Sequence, residues 1–570
     1  MLNFVDISDN WGKGRIINLN IFKNYGERLK TEFKGYNGKS LSKDMLAGIT
    51  VAAVALPLAL AFGVSSGATA ASGLITAIVA GVIIGLLSGG SYQISGPTGA
   101  MTAILLSLVA KYQLQGVFIA SLMSGIILLI CGLLKLGKIV SYLPLPVITG
   151  FTSGIAIIIA FGQINNFTGL TCSGDSTISK TVSYFTTEQH FSLTTFIIGA
   201  AVVLFMALYP KKINQYFPSS LAAIILATAC EFIFDFDVAQ VGEIPKTVFL
   251  PDRLDLSAVT LEQVEGLIVP AISIAALGLI ESLLCGASAG RMKNEKLDAN
   301  QELIAQGIGN MVIPFFGGVP ATAAIARTAV AIKAGGKTRL TSVFHAVVLL
   351  LSMFLLAPVI SRIPLAALAG VLMMTAWRMN DWAVIRGIFS RKIKTQMAQY
   401  LITMAATVVF DLTIAILIGV LFSVVMFVLK VSDMQISVAD VDPERMPGNV
   451  GNIEAGKTSV VYITGPLYFG TSSQLEDKLS GIEDKETVIF SMRGVPFADA
   501  SGVQVLQEFV SALAAKDITV LFTAIQPPVK EMFDRCGLTS DVGEERFFWS
   551  TDKALDYISI DGFSKCTAAE

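Results

Sequence analysis

The sequence predicts a polytopic α-helical membrane protein that ends in a small α/β domain. Three observations predict it. Of 570 residues, 53% are hydrophobic and only 15% charged, whereas an ordinary soluble domain carries about 25% charged residues. Apolar runs of about 20 residues, the length a membrane helix needs, recur as far as residue 430. Beyond residue 457 they shorten into alternating strand and amphipathic-helix patterns. Charge divides the chain at the same place. Asp440–Glu570 holds 21 acids and 11 bases, net −10, and the remainder is net +8. A total of −2 without a basic stripe offers nucleic acid no footing.

Candidate spans lie at 45–63, 71–88, 97–110, 116–134, 145–165, 193–209, 218–234, 265–289, 301–316, 320–333, 340–358, 363–376, 395–411 and 412–430. With the N-terminus in the cytoplasm, the even loops are cytoplasmic. They carry Lys135, Lys138, Lys211, Lys212, Arg291, Lys293, Lys296, Lys333, Lys337, Arg339 and the basic stretch from Arg378 to Lys394. The odd loops hold only Lys111, Lys180, Lys246, Arg253 and Arg362. This positive-inside pattern predicts that both termini are cytoplasmic. The expected organisation is an N-terminal segment (1–43), a transmembrane domain (44–432, repeats 44–235 and 265–432), a linker (433–456), an α/β domain (457–562) and a tail (563–570). Residues 1–43 lack the apolar core of a cleavable signal. Six cysteines without a CxxC pair, and only His190 and His345, leave no metal or haem pattern. No cofactor is expected. No nucleophile–base pair is apparent either, so an enzyme is not expected.

Seven segments, an acidic connector and seven more make a 7+7 inverted repeat. The third segment of each half is too short to cross alone, and each opens with proline after a glycine-containing stretch: Ser95-Gly96-Pro97-Thr98-Gly99-Ala100 and Gly317-Gly318-Val319-Pro320-Ala321-Thr322-Ala323-Ala324. A lone Gly-Pro would be read as a kink. A matched pair in two halves points to a transport site made by half-helices. Proline at the first helical position forfeits no hydrogen bond, and the following N–H groups carry a partial positive charge. Two such tips facing one another at mid-membrane can hold a small anion. Thr98, Gly99, Ala100, Thr322, Ala323 and Ala324 are small enough to let it reach the backbone.

Charges inside spans are costly and are functional hypotheses by default. Glu281 is the only one between Glu265 and Arg291, and Arg327 the only one between Glu302 and Lys333. A desolvated carboxyl is a candidate proton carrier, and Arg327 adds positive potential behind a helix start. The alternative is a fixed Glu281–Arg327 ion pair holding two helices. Asp411, at the junction of the last two spans, is expected in a loop or cap.

On these residues the chain resembles the SulP anion transporters, known as solute carrier family 26 in animals. Ala55-Leu56-Pro57-Leu58-Ala59-Leu60-Ala61-Phe62-Gly63, the Ser95–Ala100 stretch, Gln306-Gly307-Ile308-Gly309-Asn310 and Pro320-Ala321-Thr322-Ala323-Ala324-Ile325-Ala326-Arg327-Thr328-Ala329 carry the resemblance. It implies a core domain that moves against a gate domain, a homodimer, and an anion between the starts of segments three and ten. Phe62 matches a site-lining aromatic, Arg327 the basic residue near the anion, and Glu281 the acidic position linked to proton or sodium coupling. The expected substrate site is therefore Phe62, Thr98, Gly99, Ala100, Ala323, Ala324, Ile325 and Arg327, with Glu281 as the coupling group. A sodium-driven bicarbonate branch has Asp at that acidic position and polar residues in place of Pro320–Ala324, so Glu281 and Arg327 tilt the expectation toward proton symport. Leu58 replaces the glutamine of some animal members, which disfavours animal-type chloride exchange.

In the tail, 460–463, 488–491 and 518–522 read as strands. The pattern resembles a STAS domain, with Phe497-Ala498-Asp499-Ala500-Ser501-Gly502 at the loop that anti-sigma-factor antagonists phosphorylate. Ala500 stands at the phosphorylated position, so that switch is excluded and a structural helix start is expected. The expected function is secondary transport of a small anion, sulfate first, by proton symport. Sodium-coupled bicarbonate transport, proton-coupled C4-dicarboxylate transport, an uncoupled exchanger or channel, and anion sensing reported by the tail remain as alternatives.

Overall fold

In the structure, a computed structural model, the described residues are 20–138, 144–172, 182–184, 186, 191–214, 217–410, 412–432, 434–442, 456–471, 482, 484, and 485–560. Asp411 and His190 lie outside them. The chain forms two compact units, Met1–Val420 and Leu421–Glu570.

The first unit is helical. After α1 (Asn20–Glu32) come α2 (Gly38–Ser65) and α3 (Ala70–Leu87), then a two-residue strand β1 (Ser95–Gly96), α4 (Gly99–Leu133), α5 (Leu145–Gly162), α6 (Leu193–Leu208) and α7 (Ser219–Phe234). The second half follows with α8 (Leu261–Lys293), α9 (Ala299–Val312), β2 (Thr322–Ala323), α10 (Ile325–Lys333), α11 (Leu340–Leu355), α12 (Leu365–Met379), α13 (Lys394–Val409) and α14 (Leu412–Val431), whose residues from Leu421 on belong to the second unit. Each expected span has a helical counterpart. Among the described residues, five helices are both long and apolar enough to cross a membrane, and five shorter ones are apolar.

Local chemistry sets several of the helix starts. Asn37 accepts from Ser40 N at the start of α2, Thr69 from Ser72 N at α3, and Thr260 with Gln263 closes a capping box at α8. The third and fourth spans run together as α4, interrupted only by the non-helical backbone of Gln113 (φ 58°). The α10 helix has nine residues and is about 14 Å long, less than half of a hydrocarbon core of about 30 Å.

The expectation that Pro97 and Pro320 open their helices is corrected. The helices begin two and five residues later, at Gly99 and Ile325. The intervening backbone is extended because it pairs across the halves: β1 and β2 are antiparallel, Ser95 opposite Ala323 and Gly96 opposite Thr322. Proline lacks the N–H that a ladder needs, so both prolines flank the pairing.

Packing sorts the helices into two groups. The first comprises α2, α3, α4, α8, α9, α10 and α11, with α9 against α4 and α3, α8 against α4, and α11 against α2 and α3. In the second, α13 packs on α5, and α12 on α5 and α6. Buried residues of α2, α3, α4 and α5 join one apolar core.

The second unit holds a five-stranded sheet in the order β3 (Gln435–Asp440), β4 (Thr458–Thr464), β5 (Thr487–Gly494), β6 (Thr519–Thr523) and β7 (Phe547–Phe548). Only the β3–β4 pairing is antiparallel. β3 is a strand beyond the three expected, within the stretch expected as linker. Val461, Phe490 and Phe522 face α15 (Ala500–Ala514) and α16 (Pro527–Cys536), and Ile489 and Leu521 face α17 (Thr551–Ile560). Central parallel strands covered on both faces read as continuous apolar runs. At the Asp499–Gly502 loop, Asp499 caps α15 by accepting from Gly502 N at 2.7 Å.

Candidate anion site

The β1–β2 ladder organises the site. Because the strands are antiparallel, α4 and α10 start from opposite ends of it. Thr98 and Ala324 are their N-cap residues, and neither start receives a side-chain cap. The first-turn N–H groups of both helices are therefore left to a ligand or to water. An N-cap threonine ordinarily accepts from its own helix. Here its hydroxyl instead donates to Glu281 Oε2 at 3.0 Å, tying the start of α4 to the middle of α8.

Arg327 makes the reciprocal tie. It lies in the first turn of α10 and is 1% exposed. Its Nη2 reaches back to donate to the carbonyl of Pro97 at 2.9 Å, and its Nη1 has no protein partner. A Cβ on Gly96 would stand 2.7 Å from that Nη1, so glycine in β1 is what admits the guanidinium. Glu281 and Arg327 do not form the ion pair considered as an alternative. The carboxyl, half-buried, bonds Thr98, and the guanidinium bonds the backbone before α4.

Phe62 (α2) is buried with its ring against the start of α4. A Cβ on Gly99 would meet Phe62 Cε1 at 3.0 Å and Ile159 Cδ1 at 2.2 Å. Thr98, Gly99, Ala100 and Ala323 are buried, Ala324 is half-buried, and Ile325 is exposed. The expected residues thus gather at the two helix starts. Arg327 lies behind β1 and Ile325 is on the open side.

Several supporting groups were not among the expected site residues, although Gln306 and Asn310 belong to a stretch that carries the family resemblance. Asn310 clamps Ala321 on both sides, donating to its carbonyl at 2.9 Å and accepting from its N–H at 2.7 Å. Gln306 donates to Ser95 Oγ and to Glu302. Ser282, next to Glu281, bonds the Thr322 hydroxyl at 2.8 Å and accepts from Ala323 N at 3.3 Å. Glu302, Gln306 and Asn310 recur every four residues along α9 and so form one polar stripe. That spacing is the signal that marks them. Ile159 carries no such mark, since it meets Gly99 only through packing of α5.

Comparison with known proteins places the chain in a family. The family model for the sulfate permease family matches residues 41–406, well over half of the chain. The chain belongs to the sulfate permease family. A STAS-domain model matches 451–554. YvdB of Bacillus subtilis (strain 168), provisionally named a sulfate transporter, is 36% identical over 536 residues, covering 91% of this chain and 98% of its own. The bicarbonate transporter BicA of Picosynechococcus is 28% identical over 543 residues, covering 91% of this chain and 94% of its own. Among solved structures, the murine Slc26a9 anion transporter in the inward-facing state aligns with a TM-score of 0.82 at 19% identity. That alignment covers 96% of this chain and 97% of that one, and the likeness is one of fold. The sulfate permease family member described here is an integral, multi-pass anion transporter with a C-terminal STAS domain.

Proposed function

We propose that this protein is a secondary active transporter that carries sulfate together with a proton, the proton riding on Glu281. The observation that carries this reading is the Thr98–Glu281 hydrogen bond at one of two uncapped helix starts. It joins the group that can change charge to the backbone that can bind an anion. An anion at Gly99, Ala100, Ala323 and Ala324 meets two sets of helix-start N–H groups, with Arg327 behind β1 adding fixed positive charge. Phe62 closes the α4 side, and Ile325 marks the open side. Protonation of Glu281 offsets the negative charge of the cargo and rearranges the bond to Thr98, so anion and proton favour each other's binding.

Sulfate is preferred because YvdB carries that name. The similarity to BicA favours one other reading, bicarbonate transport, for which the family resemblance suggests sodium as the coupling ion. The positive-inside pattern supports cytoplasmic termini, and the family resemblance supports a homodimer.

Uptake of labelled sulfate into proteoliposomes with an imposed inward proton gradient tests the proposal. Wild-type protein is expected to accumulate sulfate against its gradient when the outside is acidic, without sodium. Glu281→Gln is expected to exchange anions but ignore the gradient. Gradient-driven accumulation by Glu281→Gln, or sodium-dependent bicarbonate uptake by wild type that sulfate does not compete away, would overturn it.

A further inference from the structure

We propose that the end of α8 carries a binding site for an anionic phospholipid. A cavity of about 600 Å³ opens there beside the start of α9. Leu283, Leu284, Ala287 and Leu297 form its apolar wall, and Arg291 and Lys296 stand at its rim. Both cations are exposed, and neither takes part in a hydrogen bond or ion pair among the described residues. The neighbouring acid does not neutralise them. The Glu295 carboxylate accepts from Ser91 N at 3.1 Å and from Ser91 Oγ at 2.6 Å, with Lys293 Nζ 3.7 Å away. The rim therefore presents two unspent positive charges directly over an apolar floor.

That pairing matches a lipid rather than a soluble anion. α8 has 33 residues and is about 50 Å long, so it outreaches a hydrocarbon core of about 30 Å and its last turns lie at headgroup depth. Arg291 is seven residues, or about 10 Å, beyond Leu284. An acyl chain laid on Leu283, Leu284 and Leu297 brings its phosphate to the level of Arg291 and Lys296. Basic pockets of this kind, next to helix ends, recognise anionic headgroups. A free phosphate would use the cations but gain nothing from the leucines. The bound lipid would rest on the helix that bears Glu281, one turn from its carboxyl.

Native mass spectrometry of the purified full-length protein, from micelles containing phosphatidylglycerol and phosphatidylcholine, tests the site. Wild type is expected to retain phosphatidylglycerol preferentially. The double variant Arg291→Gln/Lys296→Gln is expected to lower that preference by about thirtyfold, roughly fivefold for each cation. Ala287→Trp, which fills the floor from an exposed position, is expected to lower retention of both lipids. Soluble glycerol phosphate is expected to leave the lipid bound. The proposal is overturned by an absent preference in wild type, a preference unchanged in the double variant, unaltered retention in Ala287→Trp, or displacement by glycerol phosphate. The readout is bound lipid, so the outcome does not depend on which anion is transported.

Discussion

The two units of this protein place their polar groups in opposite positions. In the tail domain the centre is apolar: Phe490 and Phe522 are fully buried and stacked, with Val461, Val503 and Leu506 around them. Its ion pairs among the described residues, Lys485–Asp440, Lys457–Glu486, Lys530–Asp534 and Arg535–Glu531, all involve exposed acids. In the membrane unit the outside is apolar, and the hydrogen bonds of Gln306, Ser282 and Arg327 join segments far apart in sequence at its centre, where Asn310 also holds the backbone of Ala321. Water drives the first arrangement through apolar burial. In the second, lipid supplies no comparable force between helices, and buried polar groups must find each other. The same type of substitution should therefore act differently in the two units.

The largest effect is expected from Phe490→Ala, which leaves a void in the tail's core. It should destabilise that unit by about 3–5 kcal/mol, seen as an earlier denaturant transition of the tail in the full-length protein. Anion binding by the membrane unit should persist. Asn310→Leu keeps the bulk but strands the N–H and carbonyl of Ala321. The cost is at least about 2 kcal/mol, at about 1–3 per stranded group, and it should lower the melting temperature of the membrane unit. If Asn310→Leu proves neutral there, the contrast between the units fails. Thr98→Val removes one hydroxyl and leaves its shape. Loss of a hydrogen bond to an ionisable group, about 1.5–3 kcal/mol, predicts at least a tenfold fall in gradient-driven uptake, with protein abundance unchanged.

The smallest effect is expected at the tail's edge. Lys485 and Ser459 bond Asp440 and hold its carboxyl below the usual carboxylate range. Because the folded value lies below the unfolded one, its contribution is full above the unfolded value and is lost as pH falls through the folded one. The pair is exposed on the Asp440 side, so Asp440→Asn should cost only a few tenths of a kcal/mol at neutral pH. The difference from wild type should vanish in acid, which denaturation at two pH values would reveal.

Much of the fold was legible from residue type alone. Twenty-residue apolar runs announce spans because backbone polar groups cannot face lipid unpaired. The matched Gly-Pro stretches marked both half-helices, and the isolation of Glu281 and Arg327 marked them as functional candidates. The short β3 strand was harder to see, since Gln435–Asp440 is only six residues long and is exposed at all but one position, so burial imprints little pattern on it.

What the sequence by itself determined is the number of spans, the repeat, the family and the residues near the helix starts, because these depend on local hydrophobicity and short motifs. Only the tertiary structure decided how those residues are joined. The helices start after the prolines because the backbone pairs across the halves. Glu281 bonds Thr98 and not Arg327, 46 positions away along the chain. Ile159 closes over Gly99 from another helix. Such contacts between distant segments are set by how helices cross, and no local pattern in the sequence encodes them.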